Sequence, residues 1–344
     1  MAIDTKRLEG RLKHEVRLCK YGELKLLQNF IIEHWSKNHI FAYSDNLLKW
    51  QHGDFRKKII NFVVAFNKES KEFDAILGFI PTSQYDSSIG NNDIWLAIWK
   101  VKAKYAKTGI GLQVFLFLNS KYKPSSIGAF GISNDTLKIC KAFNYRTGVL
   151  KHFYIKNDNL TNYSIAKFTN QSTNNTHNVS NVYIRPITDK EFMHSNLTYQ
   201  YSPNKTKDYF INKYFNNEFY QYTFYGLEKS GVIIGAFISR KILVNKAKCI
   251  RIVDWIGGYS NGLYDEFQVL LKRLGAEYID LLCKVPNENE IISMGFIQKD
   301  TVNDTIPHYF EPFLKKNVSI EFAYKTKEID YAFFKADGDQ DRPS

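Results

Sequence analysis

The sequence predicts an α/β (α+β) fold built from two similar domains, each a mixed, mostly antiparallel sheet flanked by helices. Three observations carry this. Short segments rich in β-branched and aromatic residues alternate with stretches of helical apolar spacing along the chain. A polar run, Asn170-Gln-Ser-Thr-Asn-Asn-Thr-His-Asn-Val-Ser-Asn181, interrupts the alternation near mid-chain and reads as a linker. The order of elements is alike on its two sides. At a constant offset of 151 residues, Gly111-Leu112 falls on Gly262-Leu263 and Asn144-Tyr145 on Gly295-Phe296. The expected division is a first domain over 1–169, a linker over 170–181 and a second domain over 182–344.

The first half opens with a strand at Val16–Cys19, where the β-branched and apolar side chains begin, and a helix over Glu23–Trp35. Strands follow at Asn61–Phe66, Ala75–Ile80 and Ile94–Val101, each a short apolar run bounded by polar residues. A loop leads into a helix over Gly111–Asn119. Strand Ile127–Ile132, helix Asn134–Phe143 and a strand near Val149–Ile155 complete that half. The second half repeats the order with Val182–Arg185, a helix near Thr206–Phe215, and strands Tyr222–Leu227, Val232–Ile238 and Cys249–Ile256. Helix Leu263–Arg273, strand Tyr278–Cys283 and a short helix over Asn287–Ser293 follow.

Composition excludes several classes. With 344 residues and 48 Tyr and Phe together, the chain has ample apolar area for cores and is not a disordered protein. The longest apolar runs, such as Ile59–Phe66, fall far short of the roughly 20 residues a membrane-spanning helix needs. Met1–Lys13 is polar and has no apolar core of a secretory signal, so a cytoplasmic location is expected. Cys19, Cys140, Cys249 and Cys283 form no CxxC pair; reduced, buried thiols are expected, with no metal. The net charge of +12 suits anionic small molecules, while the dispersed lysines form no nucleic-acid arm.

The segment Trp99-Lys-Val-Lys-Ala-Lys-Tyr-Ala-Lys-Thr-Gly-Ile-Gly111 is the most informative. It runs from a strand through a loop into a helix, and Gly109 and Gly111 let backbone N–H groups approach a phosphate closely. Lys104 and Lys107 add positive charge beside it. A Rossmann loop is excluded by the missing third glycine.

Residues Val16 to Tyr154 resemble the GCN5-related N-acetyltransferase (GNAT) superfamily. Its pattern V-x-P-x-[YF]-[RQ]-x-x-G-x-G is matched by Val101-Lys-Ala-Lys-Tyr105-Ala106-Lys-Thr-Gly109-Ile-Gly111. A second motif, N-x-x-A-x-x-x-Y-x-x-x-G-F, is approached by the segment from Ser133 and Asn134 through Thr136 and Cys140 to Asn144-Tyr145. The resemblance implies an acyl-CoA whose pantetheine arm pairs with the backbone of Trp99, Lys100 and Val101. It implies that amides from Lys107 and Thr108 through Gly109, Ile110 and Gly111 to Leu112 hold the pyrophosphate, with Ser133 and Asn134 also on the cofactor side. Two departures stand out. Ala106 replaces the usual Arg or Gln, leaving Lys104 or Lys107 to supply that charge. Cys140 takes the place of a Tyr that protonates the leaving thiolate in many members.

The second half resembles the same fold with a loop Gly257-Gly-Tyr-Ser-Asn-Gly262 that has no lysine, which implies an acceptor side without CoA. The whole chain looks like tandem-GNAT sugar N-acyltransferases of bacterial polysaccharide pathways, on the segments Ile306-Pro-His-Tyr-Phe-Glu-Pro-Phe313 and Lys335–Pro343. That likeness implies acylation of a dTDP-linked 3-amino-3,6-dideoxyhexose by acetyl-CoA or 3-hydroxybutanoyl-CoA, for O-antigen or capsule assembly. Two alternatives stay open: an aminoacyl-tRNA-dependent peptidyltransferase, and a degenerate GNAT pair acting as a binding module.

Amide formation from a thioester needs a neutral amine, a polarised carbonyl and a protonated leaving thiolate. Asp93 before the central strand, His39 after the first long helix and His308 in Pro307-His-Tyr309 are the candidate bases. For the acceptor, Trp255 and Tyr309 are candidates to stack on a base or sugar. Asp339, Asp341 and Arg342 of the polar tail are candidates to bind its polar groups; the tail lacks the distal Glu of a calcium loop.

Overall fold

The computed structural model describes residues 13–90, 92–169, 180–300, 302–310 and 313–341. The described residues divide into two compact units: one takes Lys13 through Ala129 with Tyr324–Thr326, the other those of Phe130–Ala323 and of 327–341.

In the first unit, β1 (His14–Lys20) leads through a 3-10 turn into α1 (Leu24–His34), followed by α2 (Asp45–His52) and β2 (Gly53–Asp54). The Ser44 hydroxyl caps α2 by accepting from the Leu47 N–H. Strands β3 (Ile59–Asn67), β4 (Phe73–Pro81) and β5 (Asp93–Val101) come next, then α3 (Ile110–Tyr122) and β6 (Ser126–Phe130). The sheet runs β1-β3-β4-β5-β6, with β2 beside β3. Among the pairs of β1 to β6, all are antiparallel except β5 with β6. The near-continuous burial of β3 and β4 follows from helices covering the sheet, α3 packing on both strands.

Gly128 of β6 lies under the ring of Trp95, where an added Cβ would sit 2.3 Å from the indole. Gly128→Ala is therefore expected to cost about 1–3 kcal/mol through overpacking, read as a lowered urea midpoint at unchanged slope.

The second unit starts with α4 (Asn134–Ala142), β7 (Arg146–Val149) and β8 (Lys151–Lys156). It continues with β9 (Val182–Pro186), α5 (Asp189–His194) and α6 (Lys207–Phe210), the last running into a π-helical turn over Ile211–Phe215. Strands β10 (Tyr222–Lys229), β11 (Val232–Val244) and β12 (Ala247–Gly257) lead to α7 (Tyr264–Leu274). Then come β13 (Tyr278–Lys284), α8 (Asn289–Ser293), β14 (Ile297–Gln298), β15 (Glu321–Thr326), whose last three residues belong to the first unit, and β16 (Phe333–Phe334). The sheet order is β14-β8-β13-β12-β11-β10-β9, with β16 also on β13. Again the one parallel pair is β12 with β13, in the place of β5 with β6. The core joins Trp255, Phe267, Leu270, Leu281 and Phe296 on the face that carries α7.

The expected mixed, mostly antiparallel sheets with flanking helices are both present. Asn144 and Gly295, which the 151-residue offset aligns, both take positive φ, 58° and 105°. The compact division, however, falls at Ala129/Phe130 rather than in the run 170–181, of which 170–179 lie outside the described residues. The expected strand near Val149–Ile155 is two strands, and β8 pairs with β13 in the second sheet. Leu150 breaks the strand by donating its N–H to Ile320 O at 3.0 Å. All four cysteines are buried free thiols. No helix among the described residues is long and apolar enough to cross a membrane.

Candidate functional site

The first unit builds a backbone slot at the end of β5. Parallel pairing of β5 with β6 covers Asp93–Trp95 and stops there, so Leu96–Val101 diverges from β6. On the other edge β5 stays paired with β4 through a register shift between Leu77 and Phe79, an irregularity that re-aims the strand at the point of divergence.

The loop after β5 turns into α3 through Gly109, which adopts φ 80° and caps the helix with no side-chain hydrogen bond. Gln113 N–H closes the first turn on Gly109 O at 3.1 Å. The N–H groups of Ile110, Gly111 and Leu112 therefore have no acceptor within the helix, and its positive end faces outward. Gly111 is required by the close approach of helix to strand: a Cβ there would meet Val101 Cγ2 at 2.8 Å. Trp99 locks the same junction, its indole N–H donating to Gly111 O at 3.2 Å and its ring stacking on Phe115 at 5.2 Å. Thr108 is held by its hydroxyl on Tyr105 O.

The lysines divide into two sets. Lys102 is buried and paired with Glu72 and Asp74 at 2.7 and 3.1 Å, so its charge is spent within the unit. Lys104 and Lys107 are exposed and Lys100 half-exposed, and among the described residues none of the three forms an ion pair. Uncompensated cations beside an uncapped helix start are a setting in which backbone amides could hold an anion.

The other candidates sit elsewhere. Asp93 accepts from the Ser126 hydroxyl at 2.6 Å, which ties β5 to β6 at their paired end. His39 is buried and caps a 3-10 turn, its Nδ1 accepting from Phe41 N–H. Cys140, Ser133 and Asn134 belong to the second unit, where the Ser133 hydroxyl caps α4. Burial pushes the Cys140 thiol up to about 11, so it keeps its proton at neutral pH. Trp255, expected to stack on an acceptor, is a core residue stacked on Phe237 at 5.6 Å and Tyr259 at 4.8 Å. Tyr309 is 38% exposed. Asp341 is engaged internally, accepting from the Tyr222 hydroxyl at 2.8 Å and paired with Arg240 at 2.9 Å. Asp339 is nearly buried, and Arg342 lies outside the described residues.

In the second unit the equivalent slot is filled by the chain itself. Pairing of β12 with β13 covers Ile250–Ile252, and β12 then diverges. Into the gap runs the C-terminal segment: Phe333 and Phe334 pair with Lys284 and Cys283, Lys335 N–H donates to Leu282 O, and Ala336 N–H donates to Val253 O at 3.3 Å. The plug is pinned by charge. Lys205, fully buried, reaches Asp254 at 2.7 Å and Asp337 at 2.6 Å. The Tyr214 hydroxyl adds a donor to Asp254, and Lys213 donates to Ala336 O at 2.6 Å. Burial holds Lys213 down at about 8 and raises Asp254, against the pull of Lys205. Neither Lys205 nor Asp254 stands out in the sequence; the available signal is the pair Arg251 and Asp254 among apolar neighbours in one strand.

His308 is buried in this unit with both ring nitrogens lacking hydrogen-bond partners, 6.5 Å from the His152 ring. Burial first, then the cations Lys335 and Arg251, hold His308 down at about 2; burial holds His152 at about 4. Both imidazoles are neutral in the folded protein. Their stability contribution is complete above the unfolded value near 6.5 and is lost as pH falls toward the depressed folded values. Between pH 7 and pH 5 each is expected to cost about 2 kcal/mol, and His308→Gln should flatten the fall in melting temperature over that range.

No family model and no curated protein sequence matches the chain. Among solved structures, a GCN5-related N-acetyltransferase from Anabaena variabilis superposes with TM-score 0.54 at 9% identity, over 92% of this chain and 74% of that one. One from Kribbella flavida gives TM-score 0.52 at 10% identity, over 92% and 72%. The fold is that of the GCN5-related N-acetyltransferases. A GNAT-like unit with a diverging central strand followed by an uncapped helix is what the first unit presents, and the second carries the same topology with its slot closed.

Proposed function

We propose that this protein is an acyl-CoA-dependent N-acyltransferase whose CoA binds the first unit alone. The observation that carries this reading is the contrast between two copies of one topology. In the first, β5 diverges beside an uncapped helix start with unpaired lysines; in the second, residues 333–336 occupy the corresponding gap. The amides of Ile110, Gly111 and Leu112 would hold the pyrophosphate, and the backbone of Trp99–Val101 would pair with the pantetheine arm. The thioester carbonyl is then polarised by strand N–H groups, and a neutral amine attacks it directly in a ternary complex. The C–N bond forms, the C–S bond breaks, and CoA leaves as the thiol after taking a proton. Within the first unit, Asp93 and His39 are the proposed bases.

For the acceptor we propose a nucleotide-linked amino sugar of the dTDP-3-amino-3,6-dideoxyhexose type, acylated with acetyl or 3-hydroxybutanoyl for a bacterial surface polysaccharide, in the cytoplasm. Support for this narrower reading is the sequence likeness of the segments around His308 and the C-terminal tail. The test is release of free thiol from acetyl-CoA or 3-hydroxybutanoyl-CoA in the presence of a dTDP-3-amino sugar, with the matching mass gain on the sugar. Turnover that survives RNase supports the proposal. RNase-sensitive transfer would move the reading to an aminoacyl-tRNA-dependent enzyme, and no thiol release with any pairing would make the chain a binding module.

A further inference from the structure

The second unit contains a cavity of about 340 Å³ lined by Lys151, His152, Leu282, Lys299, Asn317 and Ser319. Its polar groups are organised from behind. Arg251 is fully buried and forms a two-point pair with Asp280, and Asp280 accepts from His152 Nε2 at 2.8 Å. That bond fixes the tautomer: Nε2 carries the hydrogen, and Nδ1 is left as an acceptor. Nδ1 is buried and has no partner. An orphaned acceptor of this kind in a rigid setting calls for a ligand group or an ordered water.

The charge balance narrows the ligand. Asp280 is neutralised by Arg251, and Lys151 is paired with Glu288 at 2.6 Å. Lys299 has no carboxylate in ion-pair range among the described residues; its ammonium donates only to Asn317 Oδ1 at 3.2 Å. Asn317 is itself immobilised, donating to Asp304 O and accepting from Ile306 N–H. Lys299 follows directly on Gln298, the partner of Phe153, and its N–H bonds His152 O at 2.8 Å, so cation and imidazole are neighbours across one strand pair.

We propose that this cavity binds a small hydroxylated organic anion, its carboxylate or phosphate on Lys299 and a hydroxyl donating to His152 Nδ1. The surplus of positive charge disfavours an ammonium as the donor and favours a neutral hydroxyl. The cavity has room for a molecule of monosaccharide size. The assignment stands on the second unit alone and is independent of CoA binding in the first.

The test is calorimetric titration of the full chain with glucose 6-phosphate and with glucuronate, against glucose and inorganic phosphate. One saturable site for at least one of the two sugar anions is expected, with Lys299→Gln weakening it at least tenfold and leaving CoA affinity unchanged. Lys299→Gln keeps a donor for Asn317, which preserves the fold. In parallel, the unprotonated His152 nitrogen should shift in a multiple-bond ¹⁵N spectrum on adding the sugar anion and stay still with inorganic phosphate. The phosphate and carboxylate arms identify the anionic group. No saturable binding of either sugar anion at millimolar concentration, equal binding by Lys299→Gln, or an unmoved His152 nitrogen would each overturn the proposal.

Discussion

Gly109→Glu is expected to weaken CoA binding by about 100-fold or more while lowering stability by only about 1 kcal/mol. The small structural cost follows from open surroundings: a Cβ at Gly109 meets nothing within 4 Å, so the penalty is that of a φ of 80° on an L-residue. The large binding cost follows from charge. A carboxylate placed where the N–H groups of α3 converge would meet a diphosphate at a few ångströms, where like charges repel by about 4 kcal/mol at a protein surface. Gly109→Ala carries the same backbone strain without the charge, and its CoA affinity should stay within about threefold of the parent. Titration of both variants, alongside their urea midpoints, separates the two effects. Equal losses in both would assign the effect to loop distortion.

Lys205→Met is expected to destabilise the second unit by about 3–5 kcal/mol. It leaves Asp254 and Asp337 facing each other without their common cation, in a setting where both carboxylates have no exposed side-chain surface. Replacing one partner strands a buried charge, whereas replacing Lys205 and Asp254 together with apolar residues should cost much less. The plug should respond locally before the unit unfolds: the Ala336 amide, bonded to Val253 O, is expected to exchange hydrogen faster in Lys205→Met. Unchanged exchange at Ala336 would mean that the segment is held by its apolar contacts, Phe333 and Phe334, rather than by the ion pairs.

The order of elements was largely legible in the sequence because it rests on local periodicity. The strand at Ile94–Val101 and the helix after Gly109 were placed within a few residues, and the positive φ of Gly109 is what its glycine implies. What local pattern cannot carry is which sheet a strand joins. Val149–Ile155 reads as one apolar run closing the first half. In the structure Leu150 leaves the run to bond Ile320, and β8 pairs with a strand more than a hundred residues away.

The candidate loop is legible for the same reason: its glycines and lysines are contiguous, so the turn at Gly109 and the exposed lysines can be read from local pattern. His152, Asp280, Lys205 and Asp254 are single titratable residues far apart in the chain, each of which reads as surface until the fold buries it. Arg251 and Asp254 within Cys249–Ile256 were the one available hint, since charges inside an apolar strand need partners. The charge of the tail reads as ligand-binding in the sequence; in the structure Asp341 pairs with Arg240 and accepts from Tyr222.

Of two like-folded units, the first leaves the gap beside its diverging strand open and the second fills it with its own C-terminal segment. Calorimetric titration of the full chain with CoA tests whether that difference decides where CoA binds. One site per chain is expected, weakened about 100-fold or more by Gly109→Glu. Two sites per chain, or one site that Gly109→Glu leaves intact, would contradict it.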